Sequence, residues 1–77
     1  MKYFVEFVVS ALVDKPDEVL IDDEEERGRT HYRVQVNPGD VGKVIGKKGR
    51  TIRAIRNVVN AVARHRKQSV QVDIRDR

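Results

Sequence analysis

The chain has 77 residues, which is enough for one small domain with a single modest core but not for a second lobe. It contains no cysteine, so disulfides, thiolate metal sites and thiol nucleophiles are excluded. The net charge of +4 is unevenly distributed, because eight acids and one base lie between residues 14 and 26, whereas twelve bases and one acid lie between residues 27 and 67. A basic region of this kind is typical of a surface that meets a phosphate polymer, although a well-solvated surface would show the same excess.

The apolar N-terminal segment predicts a helix from about Lys2 to Val13 that ends before Pro16. Its apolar face is expected to consist of Phe4, Phe7, Val8, Ala11 and Leu12, which recur at helical spacing, and valines at positions 5, 9 and 13 widen this stripe. The segment is too short to span a bilayer, and no convincing signal-peptidase site follows it. We therefore expect a soluble, cytoplasmic protein.

Two extended segments predict a β-hairpin. The first strand begins at about Val19 and runs into the acidic residues 22–26, and Gly28 provides the turn. In the second strand, the side chains that are expected on one face are Thr30, Tyr32, Val34 and Val36. The acidic tip of the hairpin is expected in solvent.

A four-residue break from Asn37 to Asp40 ends the hairpin and begins a helix, since Asn37 or Asp40 can cap a helix and proline suits its first turn. A short helix is expected from about Gly39 to Ile45, and a long one from Arg50 to about Arg66. The side chains of the long helix that should face the core are Ile52, Ile55, Val59 and Val62.

The last segment predicts a half-buried strand, because Val70, Val72 and Ile74 alternate with polar residues. The predicted order is therefore α-β-β-α-α-β, without a linker or a repeat. This order indicates an α+β domain with helices packed on one face of a three-stranded sheet.

The turn between the two central helices is Gly46-Lys47-Lys48-Gly49. Glycine permits a sharp turn and the close approach of another backbone, and the first amides of the following helix favour an anion such as phosphate. Mononucleotide motifs are excluded by specific residues. A Walker P-loop would need glycine at 41 and Ser or Thr at 48, and a dinucleotide fingerprint would need glycine at 44.

With this turn at its centre, the segment from Val44 to Ile55 resembles the core of a KH domain, whose GXXG loop clamps about four nucleotides. The element order resembles the type II arrangement. The resemblance covers essentially the whole chain, as one domain over residues 1–77 with a helix at about 2–14 and a KH core at about 30–75. A single small KH domain of this kind is similar to the KhpA (YlqC) family of bacterial RNA-binding proteins.

The resemblance implies RNA binding and RNA chaperone activity. It also implies homodimers or a complex with a KH-containing Jag (KhpB, EloR) protein, and a link to cell elongation and the cell wall. Two other interpretations remain open: an interaction subunit that binds RNA weakly, and a module that binds single-stranded DNA or associates with the ribosome.

The resemblance also assigns roles to residues in and around the loop. Gly46 and Gly49 would allow backbone contact with the nucleic acid, and Lys47 and Lys48 would meet phosphates. The apolar groove under the bases would consist of Val41, Val44, Ile45 and Ile52, although Ile45 and Ile52 can equally be ordinary core residues. The flanking cations would be Arg50 and Arg53, with Lys43 and Arg33 as peripheral phosphate contacts.

Only four aromatic residues are present, and three of them lie in the first helix. Folds that stack bases on an aromatic sheet face need several there, so we expect backbone clamping of single-stranded RNA with limited sequence preference. A stripe of small or apolar residues on the long helix is a candidate dimer contact, unless the first helix buries it. The stripe comprises Thr51, Ala54, Val58 and Ala61.

Catalysis is not expected. The two near-neutral bases, His31 and His65, lie on different elements. The acidic residues 22–26 lack the spacing of a calcium loop and have no partner histidines, so neither a metal nor another cofactor is expected.

Overall fold

A computed structural model of the chain describes residues 1–76, with Asp76 described by its backbone alone. The elements, in chain order, are α1 (Lys2–Ser10), β1 (Leu20–Glu26), β2 (Arg29–Val36), α2 (Val41–Ile45), α3 (Arg50–His65) and β3 (Ser69–Asp76). Single turns of 3₁₀ helix lie at Pro16–Glu18, Pro38–Asp40 and Lys47–Gly49. The predicted α+β class and the order α-β-β-α-α-β are confirmed.

The sheet is mixed, with the strand order β1-β2-β3. Strands β1 and β2 are antiparallel, and a two-residue turn joins them in which Arg27 and Gly28 both have positive φ (54° and 79°). A turn of this kind matches the twist of a hairpin. Strand β3 runs parallel to β2, because α2 and α3 form the crossover that a parallel pair requires.

The core lies between the sheet and the helices and is rich in valine. The largest side chains that are fully buried are Val5, Val9, Val34, Val36, Val44, Val59 and Val72. On β2, the predicted alternation is confirmed, since Tyr32 is also buried while His31 and Arg33 are half-buried.

The buried centre of α1 lies on the valines that were expected only to widen its apolar stripe. Val5 and Val9 are completely buried, whereas Phe7 is 72% exposed and Leu12, beyond the end of the helix, is 39% exposed. Phe4 and Val8 only border the core. Both stripes satisfy helical spacing, so periodicity alone could not choose between them, and the core accepts the compact valines.

The buried face of α3 was predicted correctly for Ile52, Ile55 and Val59, but Val62 is only half-buried. Ala63 takes its place, with 1% exposure. The amide of Gln68 donates to the carbonyl of Ala63 (2.8 Å), so the chain folds back on this position as it enters β3. A small side chain permits that close approach.

The carboxylate of Asp40 fixes the start of α2. Asp40 is only 3% exposed, and its two oxygens accept hydrogen bonds from the backbone amides of Asp14 (3.2 Å) and Lys15 (3.1 Å). Burial by itself raises the pKa of Asp40, but these two amides and the nearby Lys43 outweigh burial and lower it below its ordinary value. Asp40 therefore acts as a charged tie between α2 and the segment that follows α1. Asn37 caps the preceding 3₁₀ turn by accepting from the amide of Gly39 (2.8 Å).

Candidate nucleic-acid interface

The loop between α2 and α3 has an unusual backbone. Gly46 (φ 75°, ψ 172°), Lys48 (φ 58°) and Gly49 (φ 72°) all have positive φ, and Gly49 donates its amide to the carbonyl of Gly46 (3.1 Å). A Cβ at residue 46 would lie 2.1 Å from Oγ1 of Thr51. Only glycine fits at position 46, because a Cβ there would overlap Thr51 in α3. The conformation of the loop is therefore fixed by its packing against α3 as well as by its own sequence.

Arg53 holds this backbone in place. Its Nη2 donates to the carbonyl of Lys48 (2.8 Å), and its Nε lies 3.4 Å from the carbonyl of Gly49. The sequence predicted Arg53 as a cation beside the nucleic acid. In the structure, its guanidinium is engaged with the loop carbonyls and stabilises the left-handed conformation of Lys48.

The two loop lysines are directed to solvent. Lys47, Lys48 and Arg50 are exposed, and none of them forms an ion pair within the part of the chain that the structure describes. They lie at the N-terminal end of α3, where the helix dipole also favours an anion. This end of α3 therefore presents unneutralised positive charge on a rigid backbone.

Two other predicted contacts already have acidic partners. Lys43 bonds Asp14 and lies 3.7 Å from Asp40, and the bond to Asp14 is the main reason why the pKa of Lys43 is raised. Arg33 pairs with Glu24 at 2.8 Å. These cations contribute less to an anion-binding surface than the loop lysines do.

The predicted apolar groove divides into two layers. Val44 is completely buried and Ile52 is 6% exposed, so they support the groove from within the core rather than contact a base. Val41 and Ile45 are half-buried and pack against the same core. These two side chains are the apolar surface that a base beside the loop can reach.

The stripe on α3 that was predicted as a dimer contact is mostly exposed. Ala54 and Ala61 are exposed, and Val58 is 49% exposed, so burial of this stripe under α1 is excluded. Thr51 is half-buried against Gly46 instead.

The structure separates the two histidines as expected. His31 is half-buried on β2, and His65 is exposed at the last residue of α3. Among residues 1–76, no group of three or more metal-ligating side chains is found. Within the same residues, no helix is both long and apolar enough to cross a membrane.

One concave site was missed by the sequence interpretation. A cleft of about 340 Å³ lies between α3, from Arg56 to Arg64, and the first half of β3. We call it the arginine cleft, and its lining residues are Arg29, Arg56, Asn60, Arg64, Gln68, Ser69, Val70, Gln71 and Val72. The available signal was the spacing of Arg56, Asn60 and Arg64, which repeat every four residues along one side of α3.

Comparison with known proteins gives a consistent result. A sequence model of the KhpA/KhpB KH domain matches residues 2–74. The RNA-binding protein KhpA of Halalkalibacterium halodurans is 46% identical over 76 residues, which cover 99% of this chain and 100% of the relative. Proteins of the same name from Oceanobacillus iheyensis (45%; 96% of this chain and 99% of the relative) and Chlamydia trachomatis (42%; 96% and 95%) match almost as fully.

These matches cover nearly the whole chain, 99% and 96% of its residues. The family is non-enzymatic, which agrees with the prediction that the chain does not catalyse a reaction. The chain belongs to the KhpA/KhpB family of bacterial KH-domain proteins.

Proposed function

We propose that the chain binds single-stranded RNA through the loop from Gly46 to Gly49. The observation that carries this proposal is a pair of solvent-directed lysines, without ion pairs in the described part of the chain, on a backbone that only glycine at position 46 permits. Relatives that are 42–46% identical are named RNA-binding proteins, which supports the same activity here.

The geometry suggests a separate role in RNA binding for each part of the loop and its flanking helices. The glycines let the sugar-phosphate backbone approach, and Lys47 and Lys48 neutralise its phosphates. The first amides of α3 add donors and the positive end of the helix dipole. Val41 and Ile45 offer apolar contact to the bases, so affinity comes mainly from the backbone and sequence preference is limited.

We infer a cytoplasmic RNA chaperone or post-transcriptional regulator from this kind of binding. One clamp of about four nucleotides binds weakly, and two linked clamps bind far more tightly. The exposed surface around Val58 supports assembly with a second copy or with a Jag/KhpB-type KH protein. A role in cell elongation and cell-wall homeostasis would follow from such a complex.

The decisive experiment reverses the charge of the loop. Lys47→Asp/Lys48→Asp should reduce the recovery of RNA crosslinked in cells, and should weaken binding of short single-stranded RNA in fluorescence anisotropy about a hundredfold. The control is Lys2→Asp/Arg27→Asp, which makes the same charge change on α1 and at the hairpin turn. Equal recovery of RNA with both double variants would remove the clamp assignment.

A salt series with matched RNA and DNA strands distinguishes the nucleic acids. Binding through phosphates alone would give similar affinities for both, with the same decline as salt rises. A preference for RNA that persists at high salt would indicate contacts to the 2′-hydroxyl.

A further inference from the structure

The two edges of the sheet differ in how far the domain covers them. Strand β3 forms one edge, where Arg56 of α3 donates from Nε to the backbone carbonyl of Val72 (3.0 Å) and its Nη2 lies 3.8 Å from Oδ1 of Asp73. A side chain of the domain therefore already occupies part of β3. Strand β1 forms the other edge, and no side chain between residues 1 and 76 bonds its backbone.

The uncovered edge of β1 carries backbone groups that a further strand can use. All seven residues of the strand, Leu20–Glu26, pair with β2 in an antiparallel register. In such a ladder the N–H and C=O groups of alternate residues point to the partner strand, and those of the residues between them point away from it. We call this outward row of groups the β1 edge. A row of this kind is where an extended peptide adds to a sheet as a new strand.

The β1 edge is exposed along nearly its whole length. Only Ile21 is buried, and the other residues of the strand are exposed. Asp23 and Glu25 lie on the same face of the sheet as Ile21, which is the face that the helices cover, yet both are exposed. The helical layer therefore covers this end of the hairpin incompletely, and both faces have room for the side chains of an added strand.

The acidic residues 22–26 set the charge of the β1 edge. Two of them have partners within the domain, since Lys2 lies 3.6 Å from Asp23 and Arg33 lies 2.8 Å from Glu24. The other three form no ion pair in the part of the chain that the structure describes. These three are Asp22, Glu25 and Glu26. Three carboxylates therefore remain unneutralised in a chain whose net charge is +4.

These charges determine which strand fits the β1 edge. A second copy of the chain would bring its own residues 22–26 against the same acids, and like charges directly opposite each other destabilise a strand pair. An apolar strand would leave the three carboxylates without partners. A strand with lysine or arginine opposite them gains favourable pairs, so the acids exclude one occupant and select another.

We propose that the β1 edge binds an extended, basic segment of another protein, which adds to the sheet as a fourth strand. Side chains directly opposite each other lie on the same face, so an antiparallel segment would place basic residues opposite Glu26, Glu25 and Asp22. The matching pattern is basic-basic-x-x-basic. The two intervening positions lie opposite Glu24 and Asp23, whose charges are already paired within the domain.

The β1 edge is separate from the proposed RNA clamp. Helix α2, which leads into the loop, packs against β3, and β2 lies between β3 and β1. The acids of the β1 edge also repel a phosphate backbone. A basic segment bound at β1 therefore leaves the loop free, and the inference does not depend on the clamp.

The test uses a fluorescent peptide of sequence TVRRTVRTV, which has the predicted pattern among residues that favour strands. We expect it to bind the unmodified protein, and Asp22→Asn/Glu26→Gln to weaken this binding about fivefold in fluorescence anisotropy. The control, Glu6→Gln/Asp17→Asn, removes two exposed acidic charges outside β1 and should leave peptide binding unchanged. A thermal melt verifies that both variants fold, and their RNA affinities should be equal because their net charges are equal.

Methylated peptides distinguish strand addition from attraction between charges. N-methyl groups on every second residue remove the donors from one edge of a strand and leave the other edge able to pair. The two alternately methylated forms of the peptide have the same charge, so attraction alone predicts equal binding. We expect one form to bind and the other to fail.

Three results would overturn the proposal. The first is absence of peptide binding, or equal affinity of the peptide for the Asp22→Asn/Glu26→Gln variant and for its control. The second is equal binding of the two methylated forms. The third would show a second copy at the β1 edge: every β1 amide of the unmodified protein would exchange slowly without peptide, and alternate amides would become fast on dilution. We expect alternate β1 amides to exchange fast at all concentrations until the peptide is added.

Discussion

The two ends of α2 use charged side chains in opposite ways. At its start, Asp40 is buried, and both of its oxygens accept hydrogen bonds from the backbone of Asp14 and Lys15. At its end, Lys47 and Lys48 extend into solvent and have no acidic partner in the described part of the chain. A charge that stabilises the fold finds its partners inside the protein, whereas a charge that is available to a ligand lacks one until the ligand arrives.

Gly46→Ala should have the largest effect, because it acts on both the fold and the loop. The added Cβ would overlap Oγ1 of Thr51, and the backbone conformation disfavours any side chain, so we expect destabilisation of about 3 kcal/mol. RNA affinity should fall at least ~10-fold, since the lysines lose their positions. Chemical denaturation and anisotropy measure the two effects.

The matched control is Gly42→Ala, one turn earlier in α2. A Cβ at Gly42 meets no atom within 4 Å, and alanine favours the helix, so this variant should be as stable as the original or more so. If the two variants behaved alike, the close contact with Thr51 would not determine the loop.

Asp40→Asn should affect stability and its pH dependence, but not the clamp. The amide that replaces one carboxylate oxygen cannot accept from a backbone N–H, so the melting temperature should fall by several degrees at neutral pH. The folded-state pKa of Asp40 is lowered, so its contribution is fully present above the ordinary value of 3.8 and is lost as pH falls through the lower, folded-state pKa.

Thermal melts across an acid pH series measure this effect. The original protein should lose stability in that acid range. Asp40→Asn should lose less stability there, because it lacks the carboxylate that bonds the amides of Asp14 and Lys15. A variant with unchanged melting temperature and an unchanged acid profile would show that the buried carboxylate does not hold the segment before β1.

Arg53→Ala should have an intermediate effect on binding with a small effect on stability. Without its guanidinium, the carbonyls of Lys48 and Gly49 lose their donors, and the loop should open more often. We expect RNA affinity to fall about fivefold, because the bound conformation becomes less populated. Hydrogen exchange at the amide of Gly49 should become faster.

Arg53→Lys separates this positioning role from simple charge. The lysine keeps the positive charge, but its single ammonium cannot bond both carbonyls as the guanidinium does. If Arg53 acts mainly as a cation, the lysine variant should bind RNA normally and keep slow exchange at Gly49. If it positions the loop, exchange should be fast in both variants.

Val58→Glu should have the smallest effect on the isolated fold, because Val58 is 49% exposed. A charge in the middle of the stripe formed with Ala54 and Ala61 should prevent two copies from packing through it. Analytical ultracentrifugation should show a lower molecular mass for the variant if the original protein is a dimer. An unchanged mass would remove this stripe as the dimer contact.

Local patterns were sufficient for the order of elements, the buried face of β2 and the position of the loop. Each of these features depends on residues that are close in the chain. The patterns were the alternation from Tyr32 to Val36, the helical spacing of Ile52, Ile55 and Val59, and the two glycines on either side of a lysine pair. The match of a KhpA/KhpB KH-domain model over residues 2–74 confirms the resemblance that these patterns carried.

Tertiary structure decided the features that join distant parts of the chain. It chose Val5 and Val9 over Phe7 as the buried face of α1, since two stripes had the correct period and only one fitted the core. It also placed the carboxylate of Asp40 against the backbone amides of Asp14 and Lys15, which come 26 and 25 positions earlier in the chain. The arginine cleft likewise joins Arg29 and Ser69, which are 40 positions apart. The spacing of apolar residues shows which side chains lie on one face of a helix or strand. Which other element packs against that face depends on the tertiary fold.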